Sequence, residues 1–352
     1  MKALGDTFKI KHTLIQNRIC FPPMVCFKYD HADGMVREES VKHYRTLAKG
    51  GAGLLIQEAT CINPNGKLAP LQLGIWSDDQ IDGLKKITTA VHEEGGTLIL
   101  QIHHAGVVGI AEDPLCPSPY QFNEKTGKEM SLEEIAQTQK DFVEAARRAY
   151  LAGYDGVELH GCHNYLICQF LNPRVNKRTD MYGETPIKFV TEILDEIRKI
   201  TPENFIVGIR LGAFEPTLEE SIKNSIILEK AGIDFLDISF GFVPESEPYA
   251  PEGYPFDTRI YAAEEIKKKV SIPVFAVGNI HTPETAKAVL EKTNVDMVDV
   301  GRSMLVDPDW AIKAQNGEMP GYCVNCPACK WNSNACPGQK RMEQLKESDT
   351  CS

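Results

Sequence analysis

The stretch HGCHNYL, residues 160–166, sets His160 and His163 three apart, with Tyr165 two residues beyond the second. AGYDGVEL, immediately before it, reads as a buried strand. Two imidazoles and a phenol at a strand end suit a zinc site, a hydrolytic base or a pair of donors to a carbonyl oxygen. The zinc reading lacks a third His, Asp or Glu of ligand type nearby. A second constellation closes the sequence: Cys323, Cys326, Cys329 and Cys336, spaced C-x₂-C-x₂-C-x₆-C and followed by proline, with Cys351 beyond. These are five of 11 cysteines. A cytosolic chain rarely keeps disulfides, so such crowding predicts a metal site. A compact triplet with a later Cys-Pro suits a [4Fe–4S] cluster; zinc is the alternative, and unligated thiols the third reading.

What must position these groups is an alternation of strand and helix. Apolar strand candidates fall at 18–24, 53–59, 97–103, 156–160, 205–211, 235–239, 273–278 and 297–301. Helical patterns follow at 38–49, 80–94, 131–152, 186–200, 217–231, 260–269, 283–292 and 309–316. Alternation implies parallel strands, and nearly continuous apolar runs imply burial on both faces. Eight such units predict an α/β chain folded as a (β/α)₈ TIM barrel. No G-x-G-x-x-G follows the first strand, which removes the main support for a doubly wound dinucleotide fold. FKIKHTLI reads as an N-terminal hairpin closing the barrel floor. One boundary is expected near 321, dividing a barrel over 1–321 from a short Cys-rich C-terminal tail over 322–352.

The composition restricts the partners. With 42% hydrophobic and 25% charged residues and a net charge of −11, the 352-residue chain suits neither nucleic acid nor an anionic membrane surface. The N-terminus has no apolar leader core, and no run reaches the ~18 apolar residues of a membrane span. A cytoplasmic location and a homo-oligomer are expected.

Barrels of this kind place their active sites at the C-terminal strand ends, where unusual residues gather in this sequence. Pro23 and Met24 follow the first strand candidate, Glu58 and Ala59 the second, Gln101 and His104 the third. His160, His163 and Tyr165 follow the fourth, and Arg210 lies in the fifth. Ser239 and Gly241 end the sixth, Gly278 and Asn279 the seventh, Gly301 and Arg302 the eighth. Glycines after the last two strands let backbone N–H groups approach an anion, with an arginine to complete the neutralisation. The plainer reading is that they only make tight turns.

NRICFPPM, GGAGLLIQEAT, QIHHAG, HGCHNYLICQFLNPRVNKRTDMYG and GRSMLVDPDW together resemble the old yellow enzyme family of flavin-dependent ene-reductases. The likeness runs from about residue 5 to 320, nearest the branch of bacterial dienoyl-CoA reductases and NADH oxidases. The resemblance implies FMN bound non-covalently at the barrel mouth. Pro23, Met24, Val25 and Ala59 would line the isoalloxazine with His160 nearby, and Gln101 would bond its pyrimidine edge. Arg210 would sit beside N1 and the C2 carbonyl; Gly278, Asn279, Gly301 and Arg302 would hold the phosphate. His160 and His163 would bind a substrate carbonyl oxygen, and Tyr165 would protonate the α-carbon.

The implied reaction moves hydride from NAD(P)H through FMN to the C=C bond of a small or medium hydrophobic enone, enoyl ester or steroid-like compound. The alternative is an NADH oxidase or electron-transfer flavoprotein working with a redox partner or a C-terminal cluster. Relatives with a comparable cysteine group continue into an FAD- and nucleotide-binding half that this sequence lacks, so a cluster here would take electrons from a partner or serve structure. Val25 stands where relatives often carry Cys or Thr, so a hydrogen bond or thiol contact to the flavin should be missing, with Cys26 pointing elsewhere. Val107 replaces a common arginine, YGETPIKFV departs from the usual continuation, and Cys162 is expected to pack. The segment 242–256 reads as a lid or pocket wall.

Overall fold

The computed structural model describes residues 2–27, 29, 31–241 and 250–350. The part of the expected lid at 242–249, and Cys351, lie outside the described residues. In chain order the strands are β1 (Phe8–Ile10), β2 (Thr13–Ile15), β3 (Ile19–Phe21), β4 (Leu54–Cys61) and β5 (Leu98–His103). Then come β6 (Leu115–Cys116), β7 (Tyr120–Phe122), β8 (Lys125–Glu129), β9 (Gly156–Gly161) and β10 (Ile206–Gly212). β11 (Phe235–Ser239), β12 (Val274–Val277) and β13 (Met297–Asp299) complete them. Eight of these close a barrel in the order β10-β11-β12-β13-β3-β4-β5-β9, and every pair around it is parallel. The (β/α)₈ TIM barrel is the fold.

The strands read as apolar runs because both faces are covered; all eight residues of β4 are buried. Helices cover the outside with one apolar stripe each. Lys188–Ile200 buries Phe189, Val190, Ile193, Leu194 and Ile197, a spacing that keeps one face of a 3.6-residue turn inward. Leu132–Leu151 starts where the Ser131 hydroxyl and the Glu134 carboxylate satisfy each other's backbone N–H groups.

β1 and β2 form the expected antiparallel hairpin. Its Ile10 and Ile15 join Cys20, Leu54, Ile56, Ile99, Ile206, Phe235, Phe275 and Met297 in one closed apolar cluster. Phe235 and Phe275 stack there at 4.6 Å. Gly208 makes room for this stack, since a Cβ on it would lie 2.1 Å from the Phe235 ring. The lower half of the interior is therefore dry and full. Polar groups must lie above it.

Two segments add to what the sequence predicts. β6, β7 and β8 form a small separate sheet in a stretch without a strand signal in the sequence. At two, three and five residues they are too short to show a period. The tail beyond 321 lies on the barrel flank: the Trp331 indole N–H donates to the Leu305 carbonyl at 3.1 Å, and Gln339 Nε2 donates to the same oxygen at 3.0 Å. No helix among the described residues is long and apolar enough to cross a membrane.

Candidate active site

Side chains two apart on a strand share a face, so the inward polar residues come in pairs: Gln101 and His103 on β5, Glu158 and His160 on β9, Asp237 and Ser239 on β11. The register sets Gln101 beside Glu158 and Arg210 beside both His160 and Asp237. Two polar layers result above the apolar floor, with Arg210 spanning them.

The lower layer is acidic. Gln101 Nε2 donates to Glu158 Oε1 at 2.7 Å, and Arg210 Nε lies 3.1 Å from Asp237 Oδ2. The Asp237 and Asp299 carboxyls are within hydrogen-bonding reach of each other. Glu158 and Asp237 are fully buried and Asp299 is 2% exposed. Burial pushes all three carboxyls up; the Asp237 charge adds to this for Glu158 and Asp299, and Arg210 opposes it. One guanidinium does not balance three carboxylates in a low dielectric, so the layer retains protons. Burial opposes the charge on Arg210, but Asp237, Asp299 and Glu158 help to outweigh it.

The upper layer is a string of imidazoles. His103 Nδ1 lies 3.2 Å from His160 Nδ1, His160 Nε2 lies 3.1 Å from His163 Nδ1, and His163 Nε2 lies 2.9 Å from Ser239 Oγ. His163 and Asn164 both take left-handed backbone angles, with φ of 64° and 59°. This costly double turn folds His163 back onto His160. Burial is the main reason the His103 and His163 imidazoles are pushed down to about 3; His104 adds to it for His103 and Arg210 for His163. His160 is also held well below its ordinary value, by burial, then by the neighbouring imidazoles and Arg210. All three are neutral at pH 7. The Tyr165 ring meets His103 and His160 edge-on at 4.5 and 4.7 Å, and burial pushes its phenol up to about 12.

Beside these layers opens a cavity of about 260 Å³ whose walls include Pro23, Met24, Arg210, Gly278, Asn279, Gly301 and Arg302. Seven residues singled out in the sequence thus converge on one space. A Cβ on Gly301 would lie 2.5 Å from Met24 Sδ, so a side chain there would have to displace the Met24 thioether from the cavity wall. Arg302 Nη2 donates to Asn279 Oδ1 at 3.3 Å. Asn279 in turn donates to Asp257 Oδ2 at 2.9 Å, a carboxylate countered by Arg259 at 3.5 Å. The outer end of the cavity suits an anion. Its inner end suits a flat ring that gathers negative charge beside the Arg210 guanidinium, which lines the cavity while its Nε faces Asp237.

Other expected residues stand apart from these walls. Ala59 is buried with its carbonyl accepting from Gln72, Val25 is half-buried, and the Gln101 amide is engaged by Glu158. Cys26 packs into the outer core. The four tail cysteines are not gathered. Cys329 is exposed, Cys323, Cys326 and Cys336 are half-buried, and Cys336 is drawn against the barrel core. Among the described residues, three side chains of ligating type converge only at His160, Cys162 and His163. Cys162 thus supplies the third group that zinc lacked in the sequence. Burial pushes its thiol well up, however, and Arg210 beside the histidines opposes a cation, so the trio is not read as a metal centre.

Sequence reasoning missed His103, Glu158, Asp237, Asp299 and Arg259. The first four carried a signal in strand parity: each lies two residues before or after a residue already singled out. Arg259 lines the cavity with its guanidinium over the Phe240 ring at 5.1 Å, and no local pattern marks it.

Known proteins resemble the chain over most of its length. The model of the NADH:flavin oxidoreductase / NADH oxidase family matches residues 4–319. An NADH oxidase of Thermoanaerobacter brockii is 38% identical over 338 residues, covering 90% of this chain and 52% of the relative. The chain thus spans about half the length of that protein. An NADPH dehydrogenase of Geobacillus sp. (strain WCH70) is 34% identical over 320 residues, covering 88% of this chain and 93% of the relative. The solved structure of an old yellow enzyme homologue from Zymomonas mobilis superposes with a TM-score of 0.79 at 25% identity, covering 94% of this chain and 99% of the other.

Proposed function

The chain belongs to the NADH:flavin oxidoreductase / NADH oxidase family, that of the old yellow enzymes, and from this premise we propose that it is an FMN-dependent, NAD(P)H-consuming reductase of activated C=C bonds. The observation that supports the reading best is the cluster of His160, His163 and Tyr165 next to Arg210, which itself lines a cavity shared with Arg302 and two glycines. The residues fit FMN: Arg302 with Gly278, Asn279 and Gly301 would hold its phosphate, and Arg210 its ring. When bound, FMN supplies a hydride acceptor and donor that connects NAD(P)H to the β-carbon of an unsaturated carbonyl compound.

The chain's own groups do the rest. His160 and His163 bind the carbonyl oxygen as neutral N–H donors, and they stabilise the negative charge that grows on it during reduction. That oxygen displaces links the two rings make in the free protein, to each other and to Ser239. Tyr165 delivers a proton to the α-carbon, and a phenol pushed up to about 12 keeps that proton across the neutral range.

Purified protein should be yellow and should consume cyclohexenone and NAD(P)H in equal amounts without oxygen. Replacing both His160 and His163 by Ala should abolish the spectral shift produced by a para-substituted phenol. An unchanged shift would remove the histidines from the oxygen site. A second reading, NADH oxidation with electrons passed to oxygen or a redox partner, draws on the 38% identity to an NADH oxidase. NADH consumption in air that exceeds enone turnover many-fold would favour it.

A further inference from the structure

The upper layer is an unbranched string, His103–His160–His163–Ser239. A neutral imidazole carries its proton on one nitrogen and accepts on the other, so fixing one link fixes the rest. Only two settings exist. In the outward setting His103 Nδ1–H donates to His160 Nδ1, His160 Nε2–H to His163 Nδ1, and His163 Nε2–H to Ser239 Oγ. In the inward setting every arrow reverses, and His103 must carry its proton on Nε2.

The inner end of the string decides between them. His103 is fully buried, and its Nε2 has no hydrogen-bond partner among the described residues. The inward setting strands an N–H there, a rare and costly state for a buried donor. The outward setting leaves only a bare lone pair. The two settings also differ at the mouth. The outward one gives both His160 and His163 an Nε2–H to offer an incoming oxygen. In the inward one His160 presents a lone pair on that side and repels the oxygen.

We infer that His103 is a positioning residue: its Nδ1–H, donated to His160 Nδ1, sets the tautomers of both clamp imidazoles so that the pair meets a carbonyl oxygen with two donors. This rests on the proposed role of His160 and His163 as the oxygen clamp. His103 touches neither substrate nor the reacting carbons; it acts through His160.

The test is the protonation of the ring nitrogens, read by ¹⁵N NMR of histidine-labelled, FMN-loaded protein together with phenol binding. His160 and His163 should both show a protonated Nε2 and an unprotonated Nδ1. His103→Asn, whose amide can donate where Nδ1–H did, should keep this pattern and bind phenol within about threefold of the parent. His103→Met, whose thioether accepts weakly and cannot donate, should draw the His160 proton toward Nδ1 and weaken phenol about tenfold, the worth of one donor. A parent protein with its proton on His160 Nδ1 overturns the inference without any variant, which protects the test should the methionine variant not fold. An unchanged His160 tautomer in His103→Met overturns it as well. Failure of the clamp itself reads differently, as unaltered phenol binding when His160 and His163 are both alanine, and the imidazole signals then still decide the tautomer.

Discussion

The two polar layers of the barrel face the same cost and meet it from opposite sides. In the lower one, desolvation holds Glu158, Asp237 and Asp299 toward the protonated acid; in the upper one it holds His103, His160 and His163 toward the unprotonated base. Arg210 touches both and acts in opposite senses, drawing charge onto the carboxyls and repelling it from the imidazoles. Fixed charge is thus concentrated deep in the barrel, beside the place for a ring that becomes electron-rich. The upper layer, the proposed oxygen site, consists of neutral donors whose state is insensitive to pH near 7. Depth separates the tuning of charge from the handling of protons.

The largest test strikes the upper layer alone. Tyr165→Phe keeps the ring against His103 and His160 but removes the proton, and should slow enone-driven reoxidation roughly 10²–10⁴-fold with flavin reduction by NAD(P)H nearly intact. Stopped-flow reoxidation at the parent rate would assign the proton to solvent or another residue in the pocket. Arg210→Met strikes the lower layer: removing one partner from a buried ionic group costs about 3–5 kcal/mol, visible as a lower urea midpoint. A loss near zero would mean that the carboxyls were all neutral and the guanidinium balanced nothing.

Smaller effects sharpen the opposition between the layers through pH. For His103 the folded value of about 3 lies below the ordinary 6.5, so between them the unfolded chain binds more protons and stability falls as pH drops. His103→Asn deletes this loss, and from pH 7 to 5 it should retain about 2 kcal/mol that the parent forfeits. Asp299, raised well above 3.8, has the other sign: its contribution is full below the unfolded value and fades as pH rises through the folded one. Asp299→Asn should therefore stay within about 1 kcal/mol of the parent at pH 5, yet miss the gain the parent makes on going from pH 7 to 5. Urea titrations at the two pH values check both signs. Parallel pH slopes in the two variants would collapse the distinction.

The barrel was legible because strands buried on both faces cannot avoid being apolar. The helix at Glu38–Lys49 and the strands that carry His160 and Arg210 fall where the sequence places them. The acidic layer was not, because GVELH, FLDIS and MVDVG read as strands with one acidic intruder each. Counting two back from His160, Ser239 and Gly301 reveals that the intruders point inward. His103 was hidden beside His104, although parity with Gln101 separates the neighbours. Cysteine spacing in the tail could not show convergence, since that depends on how Trp331 and Cys336 anchor the segment to the barrel.

The sealed floor carries a consequence of its own. Ile10 and Ile15, both completely buried, stop the bottom of the barrel like a cork, so traffic to the polar layers goes by way of the mouth. In the proposed reaction a nicotinamide and an unsaturated carbonyl compound would share that one doorway and could not pass each other. Whichever arrives first must leave before the other can dock, and a crowd of either keeps the next visitor waiting outside.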